Sequence, residues 1–485
     1  MRILLLNQYY RPDLAATGQL LADLAEEFMH RGHEVHVLCS CRTYDGGGAC
    51  HPHSEVVGGV NIHRVSATGF GRKCHAGRLI DYVSFYLLAT WRALWMPKPD
   101  VCIALSTPPF IGLVGVLLKL IRGSRLALWT MDLYPEVFAA YGMMPPRSVV
   151  YRVLSAVSRW LYSHASAIFS LGEVMTARLV AAGADPARIT TVHNWVPGES
   201  VRPKPRESSS MRRTLELEDQ VTLLYSGNLG LGHELDTAVR AAGMVDGGSA
   251  LRVLFVGNGT MREPLQQLAA DLSISSISFH PPQPLENLAD SLAAGDIHLV
   301  AQRPGTEGVI VPSKLYDSLA AGRPALFIGP EGCEAARIFR ESQSGMVVPP
   351  GDVDGAAEVL RMLVQNAELR ATMGRNARAY YEGKFGRERS VNIIISLIEK
   401  PLSSPSPHME KRPLSSPSPH MEKAPLSPPS PHMEKAPLFP PSPHMEKAPL
   451  FPPSPHMEKA PLSSPSPYME RGQGVRAPAA KGETE

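Results

Sequence analysis

The stretch "VTLLYSGNLGLGHELDTA", Val221 to Ala238, reads as one strand–loop–helix unit. Its first residues are an apolar run, the pattern of a strand buried on both faces. Gly227, Gly230 and Gly232 then make a flexible loop, and a helix is predicted to begin near His233. A second strand of the same kind, "LRVLFVG", runs into "NGT" with Gly257 and Gly259. The alternation continues through "ISSISFH", "DIHLVA", "PALFIG" and "GMVVP". Before Val221 it is already present in "RILLL", "EVHVLC", "VNIHRV", "DVCIAL", "RLALWT", "AIFSL" and "ITTVHN". Helical patterns such as "GQLLADLAEEFMHRG", "RLIDYVSFYLLATWRALW" and "SVVYRVLSAVSRWLYSHA" separate most of these strands. Strands alternating with helices predict parallel sheets covered on both faces. The pattern lapses once, in the polar, proline-rich "VPGESVRPKPRESSS". The expected fold class is therefore α/β, with two tandem Rossmann-like domains facing a cleft. The first spans 1–196 and the second 215–385, with a linker over 197–214.

Bulk properties narrow the function classes. A chain of 485 residues with 44% hydrophobic content has room for two or three domains with large cores. The formal net charge of +2 gives no strong global field, so nucleic acid is not an expected partner. Six cysteines in this length do not make a disulfide scaffold. The apolar run in "MRILLLNQYY" is too short for the core of a signal peptide, and a cytoplasmic setting is expected. The longest apolar stretch, Val101 to Ile121, is split by Pro108 and Pro109 and reads as strand, turn and helix, not a membrane span. Cys39, Cys41, Cys50, His51 and His53 form a cluster. Its C-x-C spacing and the slack glycines at 46–48 fit zinc poorly, so no metal site is expected.

From Pro401 the chain repeats with period twelve, each unit a variant of "PLSSPSPHMEKA". Units this rich in proline and this poor in large apolar groups build no core. An extended, disordered tail is expected over 401–485. His408, His420, His432, His444 and His456 recur in register, but histidines so far apart on a flexible chain pre-form no metal site.

In parallel α/β sheets ligands bind beyond the carboxyl ends of the strands. After the first strand, Thr17 and Gly18 start a helix where backbone N–H groups could meet an anion, or where Thr17 simply caps. After "RLALWT", Asp132 stands where it could orient or deprotonate an acceptor hydroxyl, with Glu136 a turn further on. Gly227, Asn228, Gly230, Gly257 and Gly259 put two glycine-rich strand ends side by side, an anion-cradle shape. No G-x-G-x-x-G is present, so a dinucleotide cofactor is poorly supported. After "DIHLVA" comes "GTEGVIVPSKLYDSLAAGRP", Gly305 to Pro324. Arg303, Glu307 and Gly308 fall in the loop, Pro312 and Ser313 open a helix, and Lys314 follows. A lysine at a helix start opposes the macrodipole; a bound diphosphate would reconcile the two. Asp317 lies one turn along, on nearly the same face, placed for sugar hydroxyls.

At these residues the chain resembles the GT-B glycosyltransferases, family 4 of the retaining enzymes, within the subgroup that builds bacterial exopolysaccharide and O-antigen, colanic-acid and fucosamine transferases included. The matches are "LNQYYRPDLAATGQ", "WTMDLYPE", "YSGNLGLGHELD", "VGNGTMREPL" and "PSKLYDSLAAGRP", spanning the chain to about Lys400. The resemblance implies an acceptor domain followed by a nucleotide-sugar domain, with a UDP-sugar the expected donor and a lipid-linked or saccharide acceptor. It implies no cofactor and no catalytic metal. It also implies a last helix, over 386–400, returning to the first domain. The family's pair of acids maps onto Glu307 and Asp317, ten apart where the family has eight, and Leu231 stands near the family's phosphate-binding arginine. Lys314, with Arg303, is then expected to carry the phosphates. Glu307 would hold the transferring sugar and Asp132 the acceptor. The helix carrying Arg78, Trp91 and Trp95 is a candidate for lying on the inner face of the cytoplasmic membrane. A sugar-nucleotide 2-epimerase of the same fold and a non-catalytic nucleotide-sugar-binding protein are the rival readings. A chain truncated after Lys400 is expected to keep full transfer activity; loss of most activity in that assay would make the repeats part of the machine.

Overall fold

The computed structural model describes residues 1–13, 15–42, 50–69, 75–196, 201–217, 219–245 and 250–400. The predicted disordered tail over 401–485 lies outside them. Both sheets belong to one compact unit.

The first sheet is built from β1 (Arg2–Leu6), β2 (Glu34–Ser40), β3 (Ser54–Val57), β4 (Val60–Val65), β5 (Val101–Ala104), β6 (Arg125–Trp129), β7 (Ala167–Ser170) and β8 (Ile189–Thr191). Their spatial order is β3-β4-β2-β1-β5-β6-β7-β8. All neighbours are parallel except β3 and β4, a hairpin turned by Gly58 and Gly59 at positive φ. The hairpin strand β3 was not foreseen: it is mostly exposed, so it carries no apolar run. The helices of this domain are α1 (Ala16–His30), α2 (His75–Trp95), α3 (Gly112–Arg122), α4 (Glu136–Ala140), α5 (Val149–His164) and α6 (Glu173–Ala181).

The second sheet contains β9 (Val221–Ser226), β10 (Leu251–Val256), β11 (Ile277–His280), β12 (Ile297–Ala301), β13 (Ala325–Ile328) and β14 (Gly345–Val348), ordered β11-β10-β9-β12-β13-β14 and parallel throughout. Around it lie α7 (Ser210–Thr214), α8 (Asp236–Val245), α9 (Arg262–Asp271), α10 (Leu288–Ala293), α11 (Lys314–Ala320), α12 (Glu334–Ser342), α13 (Val353–Gln365) and α14 (Ala367–Lys384). The helix expected near His233 begins instead at Asp236, because Glu234 Oε1 accepts from Thr237 N and leaves Leu231–Leu235 as loop. The segment Val201–Thr214 packs on this sheet. Arg206 and Arg212 both pair with Asp296, and the buried Arg212 also donates to Thr222 Oγ1 and the Ala294 carbonyl.

Helix boundaries follow local chemistry. Ser148 Oγ accepts from Tyr151 N to start α5, and Asn366 Oδ1 accepts from Leu369 N to start α14, each satisfying an otherwise orphaned donor. Gly123, at φ +69°, closes α3, a conformation that suits glycine. The last helix, α15 (Arg387–Glu399), lies against the first domain: Val391, Ile394, Ile395 and Ile398 are buried in its core. Arg125 Nη2 donates to the Ile398 carbonyl.

One polar chain crosses the first sheet. Arg92 Nη2 lies 3.0 Å from His63 Nδ1. Arginine only donates, so Nδ1 accepts and Nε2 carries the proton toward His36 Nδ1, 3.1 Å away. His36 Nε2 donates in turn to Glu34 Oε1 at 2.9 Å. Burial, with Arg92 beside it, pushes His63 down to about 4 from 6.5. The folded state therefore binds this proton later than the unfolded chain. Its contribution is complete above pH about 6.5 and is lost as pH falls toward 4. Thermal melts across that range should show falling midpoints, with a shallower fall in His63→Gln; identical profiles would refute the assignment.

Candidate active site

The carboxyl ends of β9 and β10 lie side by side, and three glycines let them touch. Gly227 N donates to the Val256 carbonyl and Gly257 N to that of His280. Gly257 sits at φ +150°, and a Cβ there would stand 1.9 Å from the Gly227 carbonyl oxygen. A Cβ on Gly259, at φ +154°, would stand 2.2 Å from the Leu229 carbonyl oxygen. Leu229 N and Met261 N add bonds across the same pair of loops. Asn228 is exposed at the tip, and its carbonyl accepts from Tyr225 Oη at 2.7 Å. A Cβ on Gly230 would press on the Asn228 amide.

Lys314 enters this cradle from α11. It is 7% exposed, and its Nζ lies 4.9 Å from the centre of the Tyr225 ring. A Cβ on Gly227 would come within 2.8 Å of that Nζ. Among the described residues no hydrogen-bond acceptor or carboxylate reaches it. Burial pushes the ammonium down to about 8, with Asp317 opposing. Asp317, half-buried one turn along, is pushed up to about 6 by the same burial. Both line a small cavity with Ser226 and His298. Ser313 is exposed and makes no side-chain cap, so α11 starts at Lys314 itself.

The loop between β12 and α11 is pinned from behind. Gln302 Nε2 donates to the Thr306 and Ile310 carbonyls, and Thr306 Oγ1 to the Arg303 carbonyl. Arg303 N donates to Gly232 O at 2.9 Å. Glu307 is half-buried and accepts from Gly305 N. Its carbonyl accepts from Arg178 Nε of α6 at 3.0 Å. Gly308, at φ +69°, packs where a Cβ would stand 2.7 Å from the Val174 carbonyl oxygen, so this glycine serves the approach of the two domains. Leu133 N donates across the same seam to Val309 O.

Asp132 stands on the other side of that seam. Its N–H and that of Met131 donate to Ser106 Oγ at 2.9 and 3.1 Å. Burial pushes its carboxyl up to about 6. It lines a small cavity with Ser106, Phe110, Thr130 and Tyr134. Thr17 and Gly18 are placed differently from the sequence expectation. Ala15, not Thr17, is the N-cap residue, and Thr17 Oγ1 accepts from Asn7 Nδ2. Gly18 N donates to the Ala15 carbonyl, and its bare Cα lets the Tyr9 carbonyl close in.

Sequence matches agree with this geometry. A glycosyl transferase 4-like domain matches residues 16–195, and a glycosyl transferases group 1 domain matches residues 207–380. The chain belongs to the GT-B glycosyltransferases. The probable glycosyltransferase WbjE of Pseudomonas aeruginosa is 27% identical to this glycosyltransferase over 263 residues, which are 54% of this chain and 66% of that protein. The putative colanic acid biosynthesis glycosyl transferase WcaI of Escherichia coli is 24% identical over 415 residues, 82% of this chain and 99% of that protein. Among solved structures, HepE of Anabaena in complex with UDP and glucose shares the fold with a TM-score of 0.63 at 15% identity, over 83% of this chain and all of that one. Sucrose-phosphate synthase of Thermosynechococcus elongatus does so at 0.66 and 14%, over 82% and 98%.

Two residues of this glycosyltransferase's cleft carried no sequence signal. Tyr141 follows α4 and reaches the second domain: a Cβ on Gly232 would stand 2.6 Å from its Oη. Burial and the nearby Asp132 push its hydroxyl up to about 12, against the pull of Arg303. His233 donates from Nδ1 to the Ala301 carbonyl and is held neutral, pushed down to about 3 by burial and by Lys314. Of the cysteines in the Cys/His cluster, Cys39 is buried in the sheet core, and Cys41 meets Cys50 with their sulfurs 2.6 Å apart. Gly257→Ala should be severe, since the clash is with backbone and the φ is strained. A loss of at least about 2 kcal/mol in urea unfolding is expected. Gly383→Ala, with open space around it, should stabilise its helix by up to about 1 kcal/mol. Equal effects of the two would sink the interlocked-loop account.

Proposed function

We propose that this glycosyltransferase moves a sugar from a nucleotide-sugar, most simply a UDP-sugar, to a saccharide or lipid-linked acceptor in bacterial cell-surface polysaccharide synthesis. Transfer proceeds with retention and without a catalytic metal, on the cytoplasmic side of the membrane. The observation that carries this reading is Lys314: a buried ammonium with no acceptor, set against two glycine strand ends. Such a group asks for an anion. The colanic acid relative and the UDP complex of HepE support the choice of pathway and base.

The chemistry follows from charge. As the bond from the anomeric carbon to the diphosphate oxygen breaks, negative charge grows on the diphosphate and positive charge on the sugar. Lys314, set against the glycine loops at Gly227–Gly230 and Gly257–Gly259 that let a phosphate approach closely, stabilises the leaving group, with Arg303 beside it. Glu307 holds the sugar's hydroxyls, and Asp317 the ribose. The acceptor oxygen forms its bond from the side the diphosphate leaves, and the diphosphate oxygen takes the hydroxyl proton. Asp132, ionised at neutral pH, orients that hydroxyl from the first domain.

The test is a thermal-shift panel of UDP-, GDP- and dTDP-sugars. At a hundred times its Kd the correct donor should stabilise the wild type by roughly 2.7 kcal/mol, and Lys314→Ala should lose the shift. With the ammonium starting near 8, the affinity should weaken as pH rises past that value in the wild type only. No shift with any nucleotide would overturn the donor-site reading. A shift without transfer to any acceptor would favour a binding protein, and conversion between sugar epimers would favour the epimerase.

A further inference from the structure

Helices α2, α3 and α5 pack side by side as the outer layer of the first domain, and their solvent side is apolar. On α2, Ile80, Val83, Leu87, Trp91 and Trp95 recur at helical spacing, and the last three are 64–70% exposed. Leu120 and Ile121 of α3 are exposed, and so are Val149, Val153 and Trp160 of α5. The solvent side of a surface helix is ordinarily polar. An exposed apolar area spread over three neighbouring helices marks a binding surface.

The layer is one rigid platform. Lys119 Nζ of α3 donates to the His164 carbonyl at the end of α5, at 2.6 Å. Arg122 Nη1 donates to the Met96 and Leu94 carbonyls at the end of α2, at 2.6 and 3.2 Å. Two cations of the central helix thus satisfy carbonyls at the C-terminal ends of both neighbours.

Charge selects the occupant. These three helices carry Arg78, Arg92, Lys119, Arg122, Arg152 and Arg159, and a single acid, Asp81. The side chain of Arg78 lies outside the described residues. Asp81 turns inward and accepts from Thr68 Oγ1, while Arg152 and Arg159 are exposed. Exposed tryptophans and aliphatics flanked by cations, with no outward carboxylate among the described residues, match the interface of an anionic bilayer. No helix among the described residues is long and apolar enough to cross a membrane, so the contact is peripheral. The inner sides of two of these helices, through Gly112 of α3 and Ser158 and Leu161 of α5, wall the cavity that holds Asp132.

We propose that the outer faces of α2, α3 and α5 form a docking surface for an anionic phospholipid bilayer, which sets the Asp132 cavity beside the lipid; this deepens the lipid-linked-acceptor reading given above and rests on it for the acceptor's identity. The experiment is co-sedimentation of the full chain with vesicles of phosphatidylcholine alone and of phosphatidylcholine mixed with phosphatidylglycerol. Partners are a Trp91→Ser, Trp95→Ser double variant and an Arg152→Glu, Arg159→Glu double variant. The wild type should bind the mixed vesicles and be released by salt, and each double variant should bind at least roughly tenfold more weakly. All three proteins should give the same UDP thermal shift, which shows they are folded. Wild-type binding that ignores phosphatidylglycerol, or no binding at all, overturns the proposal. So does a wild-type dimer in solution that the tryptophan variant dissolves, which would make this face a contact between copies of the chain. A protein that docks without a UDP shift loses the donor-site reading and keeps this one; a UDP shift without docking does the reverse.

Discussion

A lysine that folding buries without a hydrogen-bond partner is expensive to hold, and the second domain is arranged around that expense at Lys314. The Tyr225 ring offers the charge a π face, and Asp317 sits close enough to keep it partly ionised. The space exists because Gly227 has no side chain, and Gly227 in turn fits only because Gly257 has none. Lysine, aromatic ring and glycines are thus one mutually dependent group at the ends of β9 and β10. An anion arriving there would recover solvation that folding removed.

A second constraint is the seam between the sheets. Glu334, 2% exposed at the start of α12, accepts from Val174 N in the first turn of α6. Arg178 and Gly308 meet beside it, and Leu133 bonds to Val309. Backbone bonds across the seam fix the loop that carries Glu307 against the loop that carries Asp132. The two acids thus stand on loops of different domains that meet at one seam.

Most of the fold was legible because buried parallel strands are short apolar runs, and those of β1, β5, β9 and β12 can be read by eye. The exposed hairpin strand β3 has no such run and was missed. The glycine cradle was legible because Gly227, Gly257 and Gly259 each follow a strand directly, where loop geometry is local. Lys314 stood out because its charge conflicts with a helix start. At Thr17 and Gly18 an anion site, a cap and a packing contact ask for the same residue types, and the contact with the Tyr9 carbonyl is set by a loop the sequence does not fold. Tyr141, His233 and Glu334 act across distances that no spacing rule reports. The apolar layer was half-visible: α2 showed its tryptophans, but its continuity with α3 and α5 depends on the sheet order.

The placement of α15 has a consequence for how the chain is made. Ile394, Ile395 and Ile398 fill the core of the first domain, yet they leave the ribosome after the whole of the second. The first domain therefore emerges early with an open groove and waits through the synthesis of some 200 further residues before the helix that seals it exists. The second domain's core needs nothing from later in the chain than Phe385, so it can close first. Synthesis order and completion order are reversed, and the nascent first domain is the stage at which a chaperone has something to cover.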